Sequence, residues 1–399
     1  MQSALLNKPT LVVILSRFPY PLEKGDKLRA YHQLKDLSLH FSITLICCVE
    51  EQPERSALAR VEPLCQSIHL LKLTKAGLFL ELLRSVFSQK PFQVQYFYRW
   101  KHAQSVRKLL NEIQPDHIYC QLVRVAEYVK HYHYCPKTID YMDTLSKGME
   151  RRIVKEPWYK KWFYRNESKR LARYERSVFD YFEFKTIISK QDRDYLLHPK
   201  KDQVHIVPNG VDESFFESLE LKKDKDIVFT GNFSYPPNIE AAVFLAEDLL
   251  PALHQRGFKV NLLLSGASPA QRVKELANEF VEVSGWVDDI RSSYQRSKIF
   301  VAPMFIGTGL QNKLLEAMAS GLPCVTTPLA NNALGGTNRE NILLAEKSND
   351  FVEICIEFFQ NSSSFKLLAS NGRRYVELNY TWNKQNQLLI QLLQSSRVS

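Results

Sequence analysis

The chain of 399 residues lacks any long apolar run. A helix that spans a bilayer needs about 18 consecutive apolar residues, whereas the apolar run 11–15 has only the length of a short buried strand. The N-terminal residues also lack the apolar core and small-residue cleavage site of a signal peptide. We therefore expect no membrane-spanning helix and no signal peptide, and we expect the chain to lie in the cytoplasm.

Several motifs of catalysis and metal binding are missing as well. The chain has no GxSxG, Walker A or HExxH motif, and no GxGxxG follows the first predicted strand, which argues against a nicotinamide cofactor. Its seven cysteines include no CxxC pair. An odd number of cysteines, several of them in apolar runs, indicates buried and reduced thiols.

The composition is that of a globular protein with an excess of basic residues. Hydrophobic residues make up 45% and charged residues 24%, which is typical of folded domains, and the length predicts about two to three of them. Lysine and arginine number 53 against 43 aspartates and glutamates, a net charge of +10. This excess favours an anionic partner, which can be a phosphorylated ligand, an acidic membrane surface or nucleic acid.

Short β-branched runs alternate with helical patterns in both halves of the chain. The predicted strands are 11–17, 43–49, 68–73, 117–122, 138–142, 187–190, 205–207, 226–231, 260–265, 281–285, 299–303, 324–327 and 342–345. The clearest predicted helices are 26–39, 239–256, 271–279, 290–296, 311–320, 350–359 and 365–378. Two such series predict two doubly wound, Rossmann-like α/β domains with parallel sheets. Ligands of such domains bind outside the carboxyl ends of the strands, here in a cleft that both domains face.

The boundary between the two domains is predicted near residues 209–226. Pro208, Asn209 and Gly210 form a turn signal, and the charged run 221–226 follows it. We therefore predict an N-terminal domain over 1–209 and a C-terminal domain over 210–379.

The segment 301–323 is predicted to carry the chemistry. It reads as a strand, a loop with Gly307 and Gly309, a helix and a turn. Glycines let a backbone approach a ligand closely, and the start of a helix favours phosphate. Lys313 and Glu316 share one helix face, where a cation can meet a phosphate and a carboxylate can accept ribose hydroxyls. The alternative is that the two residues form an ordinary i,i+3 ion pair and the glycines only turn the chain.

The same segment resembles the donor-binding element of retaining glycosyltransferases of the family 4 type, which have the GT-B fold. The segments of this chain that resemble the family, in order, are 18–27, 207–212, 229–233, 285–289, 301–323 and 380–382. Sugar transferases of exopolysaccharide systems carry a similar GDK loop and a similar QNK–LEAMA helix. The resemblance implies that the last helix, about 380–399, packs back on the N-terminal domain.

The resemblance also implies a C-terminal domain that binds a nucleoside diphosphate sugar and an N-terminal domain that binds the acceptor. Glu316 would hold the ribose, and Lys313 with the glycine loop would hold the diphosphate and the sugar. The residues that it assigns to donor binding are Gly25, Gly231, Asn232, Gly285, Trp286, Gly307, Thr308, Gly309, Gln311, Asn312, Lys313 and Glu316.

The chain departs from the family at three charged positions of the donor site. The family has two glutamates eight positions apart; Glu316 matches the second, and Thr308 stands in place of the first. Asn232 and Asn238 stand where the family often has an arginine and a lysine. Lys313 is then the best cation for the diphosphate.

Relatives place a catalytic histidine in the neighbourhood that here spans residues 139–144. No histidine is present there, and Asp143 or Asp140 takes its place. Asp143 is the favoured catalytic carboxylate, which would orient the acceptor or stabilise oxocarbenium character; the alternative is that one of the two caps the following helix.

The resemblance also assigns a role to the first loop of the N-terminal domain. Gly25 resembles the glycine that approaches the donor phosphate. Lys27 and Arg29 would reach the same anion, or they lie on a solvated face of the first helix.

We expect neither a metal nor another cofactor. The triplets 192–194 and 224–226 both read DxD, but the first lies in a helical pattern and the second in the predicted linker. His131 and His133 are two residues apart without a carboxylate or cysteine to complete a site. The resemblance implies that a lysine, a helix dipole and backbone donors stabilise the leaving group instead.

Residues 147–176 combine many basic residues with a central aromatic cluster that contains Trp158, Tyr159, Trp162, Phe163 and Tyr164. This pattern fits docking to an anionic membrane leaflet, which would place the protein peripherally on the inner face of the cell membrane. A helix whose aromatics pack on the domain is the alternative, and nucleic acid is a third reading.

The sequence thus predicts a nucleotide-sugar-dependent hexosyltransferase that acts with retention on a glycan or lipid-linked acceptor in surface polysaccharide or glycolipid synthesis. A GT-B epimerase or phosphorylase relative is a second enzyme reading. A catalytically silent GT-B protein that binds glycan or membrane is the alternative from another class, and a basic nucleic-acid binder is the third; we expect no nucleic acid as partner.

Overall fold

The computed structural model describes residues 8–74, 88–155, 157–306 and 309–395. The chain divides into two compact units, one of Met1–Val207 with Asn386–Ser399 and the other of Pro208–Gln385. The sequence predicted the division after residue 209, and the structure makes it after Val207. All seven cysteines are free thiols, and five of them are buried.

The first unit contains a seven-stranded sheet in which every described pair of neighbouring strands is parallel. Its strands are β1 (Thr10–Leu15), β2 (Ser42–Val49), β3 (Ser67–Lys72), β4 (His117–Gln121), β5 (Lys137–Asp140), β6 (Phe184–Ile187) and β7 (His205–Ile206). The spatial order is β3-β2-β1-β4-β5-β6-β7. The order reverses between β1 and β4, and the carboxyl ends beside such a switch point are where ligands bind.

The helices of this unit connect the parallel strands. Those in the described residues are α1 (Gly25–His40), α2 (Arg55–Val61), α3 (Phe92–Phe97), α4 (Trp100–Ile113), α5 (Leu145–Lys155), α6 (Trp158–Val178) and α7 (Lys190–Tyr195). Short 3-10 turns lie at Glu62–Leu64, Val123–Tyr128, Phe179–Tyr181 and Lys201–Gln203. Strands β1 and β2 are buried runs rich in valine, isoleucine and leucine, as expected of parallel strands with both faces covered.

The second unit contains a six-stranded parallel sheet with the order β10-β9-β8-β11-β12-β13. Its strands are β8 (Lys225–Thr230), β9 (Leu262–Ser265), β10 (Val281–Gly285), β11 (Ser297–Ala302), β12 (Cys324–Thr326) and β13 (Leu343–Leu344). Here the order reverses between β8 and β11. The two sheets confirm the predicted class of two Rossmann-like α/β domains.

The helices of the second unit also follow its strands. They are α8 (Pro236–Phe244), α9 (Leu250–Gln255), α10 (Gln271–Lys274), α11 (Arg291–Gln295), α12 (Asn312–Ala319), α13 (Pro328–Leu334), α14 (Ser348–Gln360) and α15 (Lys366–Asn379). The last helix, α16 (Trp382–Ser395), begins in the second unit, and its residues from Asn386 onward belong to the first. Within the first unit, Asn386 donates to the carbonyl of His32 at 3.1 Å and to Asp36 at 2.7 Å.

Three predicted elements differ from those observed. The predicted strand 187–190 is β6, which ends at Ile187, because the Ser189 hydroxyl accepts the amide of Asp192 and starts α7. The predicted helix 239–256 is interrupted by a π segment, Leu245–Leu249, just before Pro251, which has no N–H for the helical ladder. The predicted helix 271–279 ends at Lys274, and Asn278 accepts the amides of the following strand instead.

Candidate active site

Three glycines lie at the carboxyl ends of neighbouring strands of the second unit: Gly231 after β8, Gly266 after β9 and Gly285 at the end of β10. Gly231 donates its N–H to the carbonyl of Ser265 at 3.1 Å, and Gly266 donates to the carbonyl of Gly285 at 2.9 Å. A Cβ on Gly266 would lie 2.0 Å from the Gly231 carbonyl oxygen, and Gly285 has a φ of +70°. The close crossing of these strand ends requires glycine and brings backbone to the edge where such sheets bind ligands.

The half-buried amine of Lys313, in the first turn of α12, lies against this edge. Its Nζ donates to Asn238 Oδ1 at 2.5 Å and lies 4.7 Å from the centroid of the Phe229 ring. A Cβ on Gly231 would lie 3.3 Å from the same Nζ. Burial lowers the pKa of Lys313 to about 7, and the charge of Glu316 opposes this effect. A bound anion would favour the charged amine.

Glu316 lies one turn further along α12 and accepts a hydrogen bond from a buried tyrosine. The Tyr294 hydroxyl donates to Glu316 Oε2 at 2.7 Å and is 2.7 Å from the Thr230 hydroxyl. Burial raises the pKa of Glu316, whereas the Tyr294 bond and the Lys313 charge lower it. Within the described ranges no hydrogen bond reaches Glu316 Oε1, so this oxygen is available to a ligand.

The loop before α12 is described from Gly309 onward, and the predicted residues Gly307 and Thr308 lie outside the described residues. Gly309 has a φ of +90°, and its carbonyl accepts the Gln311 side chain at 3.2 Å. The Asn312 side chain accepts a hydrogen bond from Asn209 at 3.1 Å. Gln311 is the residue before α12, and its side chain makes no capping hydrogen bond to the helix. The first amides of α12 therefore have no side-chain cap from this residue.

The predicted residues Asn232 and Trp286 lie at the same strand ends but differ in availability. Asn232 Oδ1 accepts both the amide and the hydroxyl of Ser234, at 2.9 and 2.6 Å, which occupies its side chain in its own turn. Its carbonyl accepts Asn238 Nδ2 at 2.8 Å. Trp286 follows Gly285, and 59% of its surface is exposed. The Trp286 indole is thus available for stacking, whereas the side-chain oxygen of Asn232 is engaged by Ser234.

In the first unit, the exposed carboxylate of Asp143 follows β5, just before α5. Desolvation by the surrounding protein raises the pKa of Asp143 to about 6, although the side chain itself is accessible to solvent. The charge of Asp192 adds to this rise and that of Arg124 opposes it. The start of α5, which follows Asp143, is held by the buried Glu175. The amide and the hydroxyl of Ser146 both donate to this carboxylate, at 3.1 and 2.5 Å.

Asp140 and Arg29, the other candidates near this strand, form a buried pair. Arg29 Nε contacts Asp140 Oδ2 at 2.6 Å, and both side chains have zero exposure. Tyr119 also donates to Asp140, at 2.8 Å. The expectation that Arg29 reaches a ligand anion is therefore wrong, and so is the alternative that it lies on a solvated helix face: the helix turns its guanidinium into the core, where a charge needs a partner. Asp140 is that partner.

Gly25 and Lys27 lie at the start of α1. Gly25 is exposed, and a Cβ built on it would meet nothing within 4 Å. Lys27 pairs with Glu23 at 3.0 Å. Among the described residues, no contact of a Cβ at position 25 would require glycine there.

Both DxD triplets are engaged with protein groups. Asp192 accepts the Ser189 hydroxyl at 2.5 Å within α7, and Asp194 pairs with Lys190 at 2.8 Å. Asp224 and Asp226 pair with Arg296 and Lys298, at 2.6 and 2.7 Å. Over the described part of the chain, no group of three or more potential metal-ligating side chains comes together.

The aromatic cluster of the predicted basic segment lies at the start of α6. The exposed surface is 83% for Trp158, 62% for Tyr159, 74% for Trp162 and 42% for Phe163. The alternative in which the aromatics pack on the domain is therefore wrong for Trp158, Tyr159 and Trp162, whereas the Phe163 ring also contacts Phe92, with centroids 5.8 Å apart. In the described residues, no helix combines the length and apolar character needed to cross a membrane.

Reasoning from sequence missed Thr230, Tyr294 and Gly266. Tyr294 lies in the polar stretch 291–296, where no pattern marks it as the partner of Glu316. Gly266 did carry a signal, because it follows a predicted strand as Gly231 and Gly285 do.

Residues 224–361 match the family described as "Glycosyl transferases group 1". The match covers this part of the chain only. It includes the residues from Phe229 to Glu316 that are predicted to bind the donor.

Relatives and solved structures resemble the chain over nearly its full length. An uncharacterized 44.6 kDa protein in the cps region of Klebsiella pneumoniae is 21% identical over 94% of this chain and 97% of its own. The sucrose-phosphate synthase of Thermosynechococcus elongatus superposes with a TM-score of 0.71 at 17% identity, covering 97% of this chain and 98% of that one. Anabaena Alr3699/HepE, solved with UDP and glucose, gives 0.67 at 13% identity, covering 96% and 99%. The chain has the GT-B fold, and the matches together support a glycosyltransferase.

Proposed function

We propose that the protein transfers a sugar from a nucleoside diphosphate sugar to a hydroxyl acceptor with retention, as a hexosyltransferase. The observation that carries this proposal is the placement of Lys313 and Glu316 within one turn of α12, beside the glycine-lined strand ends. Lys313 would neutralise the diphosphate, and Glu316 would accept the ribose hydroxyls. The match of residues 224–361 to a glycosyltransferase family supports the assignment.

In this proposal the leaving diphosphate is stabilised without a metal. The charge that develops on it would be met by the Lys313 amine and the first amides of α12, which are fixed in place before the reaction. UDP is the first nucleotide to test, because Alr3699/HepE was solved with it. Trp286 would lie beside the base.

Asp143 is the proposed catalytic carboxylate on the acceptor side. It is exposed at the carboxyl end of β5, and its raised pKa lets it hold or release a proton near neutral pH. Gly25 would allow a close approach of the α1 start to the donor phosphate.

Release of nucleoside diphosphate from UDP-, GDP-, ADP- and dTDP-sugars tests the activity, with and without EDTA. We expect release from one donor type, unchanged by EDTA, and a loss of at least about tenfold in Glu316→Gln, because a charged hydrogen bond contributes about 1.5–3 kcal/mol. Glu282→Gln, at a half-buried ion pair with Lys225 in the same unit, is the matched control. Release that needs a metal, or an unchanged Glu316→Gln, would contradict the proposed site. The anomeric configuration of the product, read by NMR, tests retention.

We also propose that the acceptor is a glycan or lipid-linked glycan of surface polysaccharide or glycolipid synthesis, reached at the inner face of the cell membrane. The cps-region relative supports this setting. The start of α6 supports a membrane surface, because residues 157–166 combine four exposed aromatics with three basic residues and no acidic residue. Aromatic rings settle at the headgroup level, and basic side chains are attracted to anionic lipid.

Sedimentation with vesicles tests this surface. We expect binding to vesicles with anionic lipid, little to neutral ones, and loss of binding when Lys160, Lys161 and Arg165 are all replaced by glutamate. A control with the same change in charge places glutamate at the exposed residues Lys108, Lys222 and Lys366. Equal loss in the two variants, or no binding by the wild type, would refute a specific surface.

A catalytically silent GT-B protein that binds glycan or membrane is the second candidate. It is favoured by Asn238, which stands where a cation is expected and takes the Lys313 amine as its hydrogen-bond donor. This candidate predicts weak nucleotide binding and no release of diphosphate from any nucleotide sugar.

A further inference from the structure

We infer that Tyr294, backed by Thr230, is a positioning residue that sets the preference of the site for ribose over deoxyribose. The inference rests on the proposed function, because it assumes that Glu316 meets the ribose of a nucleotide. Its basis is a hydrogen-bonded chain of three side chains that runs from the core to the ligand edge of the second unit.

The donor and acceptor roles in this series of hydrogen bonds are fixed. The Tyr294 hydroxyl has one proton, and an ionised Glu316 can only accept, so Tyr294 donates to Glu316 Oε2 at 2.7 Å. The Thr230 hydroxyl, 2.7 Å from the Tyr294 oxygen, must then be the donor to it. The Thr230 hydroxyl therefore donates to Tyr294, and the Tyr294 hydroxyl donates to the Glu316 carboxylate.

Burial makes this arrangement rigid. Tyr294 has no exposed surface and Thr230 has 2%. The Tyr294 ring also packs against Phe215 and Phe300, with centroids 6.1 and 5.8 Å away. A buried hydroxyl without a partner is costly, so the phenol has no equivalent alternative to Glu316.

As a consequence, the two carboxylate oxygens of Glu316 differ in their contacts. Oε2 is held by Tyr294, and Oε1 is without a hydrogen bond in the described residues. A carboxylate fixed in this way presents one free oxygen, in a set orientation, to a vicinal diol. A ribose offers such a diol, and a 2′-deoxyribose offers only one hydroxyl of the pair.

Titration calorimetry with UDP and dUDP, repeated with the GDP and ADP pairs, tests the inference on wild type and Tyr294→Phe. We expect the wild type to bind one ribonucleotide at least about tenfold more tightly than its 2′-deoxy form, the scale of one charged hydrogen bond. In Tyr294→Phe we expect this ratio to fall toward one, with the affinity for the deoxynucleotide changed less than about twofold. Thr230→Val should reduce the ratio in the same direction.

Tyr380→Phe is the matched control, since Tyr380 is also buried in this unit and donates its hydroxyl to a carbonyl, that of Leu334, at 2.6 Å. The control should keep the wild-type ratio. Equal losses for both nucleotides in Tyr294→Phe would show a merely structural role and overturn the inference. A wild type that binds nucleotides without preferring ribose would also overturn it, together with the ribose role of Glu316, while leaving the proposed sugar transfer intact. A wild type that binds no nucleotide would overturn both.

Discussion

Replacing Lys313 with methionine is expected to stabilise the free protein and weaken nucleotide binding. At about 1.4 kcal/mol for each pH unit, a pKa of about 7 in place of 10.5 costs the charged amine about 5 kcal/mol, and it lowers the stability at pH 7, where half of the amine is neutral, by about 4 kcal/mol. Methionine keeps a similar volume without the charge. It loses the bond to Asn238 and the contact with the Phe229 ring, each worth about 1 kcal/mol. We therefore expect a net gain of about 1–2 kcal/mol, within the range seen when apolar residues replace buried charges.

The sign of the pH dependence gives a second readout of the same change. The folded pKa of Lys313 lies below its unfolded value, so between about pH 7 and 10.5 the unfolded chain binds more protons than the folded chain. The free energy of unfolding of the wild type therefore rises with pH across this window. The methionine variant lacks this contribution, and its advantage over the wild type should shrink as the pH approaches 10.5.

The assay is denaturant unfolding at pH 7 and pH 9, together with UDP, GDP and ADP titrations. We expect the variant to bind the preferred diphosphate at least about tenfold more weakly, as for the loss of a charged hydrogen bond. Lys298→Met, which removes a partly exposed lysine paired with Asp226, should change stability by less than about 1 kcal/mol and leave binding unchanged. A Lys313→Met variant that is less stable than the wild type, or that binds the diphosphate equally well, would refute this account of the site.

Three further predictions concern single positions. Gly231→Ala places a Cβ 2.8 Å from the Asn238 side chain and 3.3 Å from the Lys313 amine. The Asn238 side chain must then shift, so we expect diphosphate affinity to fall at least about fivefold by calorimetry; unchanged affinity would contradict the proximity of this glycine to the ligand. Asp140→Asn leaves the buried Arg29 guanidinium without its anion, so we expect the free energy of unfolding, measured with denaturant, to fall by about 3–5 kcal/mol. A fall of less than about 1 kcal/mol would contradict this prediction. Asp143→Asn, at an exposed carboxylate, should leave stability within about 0.5 kcal/mol and reduce donor turnover, and normal turnover would remove Asp143 from the catalytic set.

The sheets could be predicted from sequence because parallel strands are encoded by short apolar runs, and both series of runs are visible. The helix-forming segment 311–320 was equally clear and corresponds to α12. The predictions failed where single residues override the local pattern. A π segment before Pro251 interrupts one predicted helix, and Ser189 caps a helix where a strand was predicted. These outcomes depend on backbone donors and caps rather than on apolar periodicity.

The candidate site was predictable only where charge and glycine mark it. Lys313 and Glu316 stand out by their spacing, whereas Tyr294 contributes through a hydroxyl that no periodic pattern reveals. Arg29 shows the opposite error. Its charge implied a ligand, but its partner Asp140 is 111 residues away in sequence, and only the fold brings the two together.

A thermal-shift screen against UDP, GDP, ADP, dTDP and CMP, with and without EDTA, tests the central claim most directly. A ligand at 100 times its dissociation constant stabilises a protein by about 2.7 kcal/mol, a shift of several degrees for a unit of this size. We predict that one nucleoside diphosphate raises the melting temperature equally with and without EDTA, and that the shift is lost in Lys313→Met. No shift with any nucleotide would contradict a donor site at the glycine-lined strand ends and favour the silent binding protein.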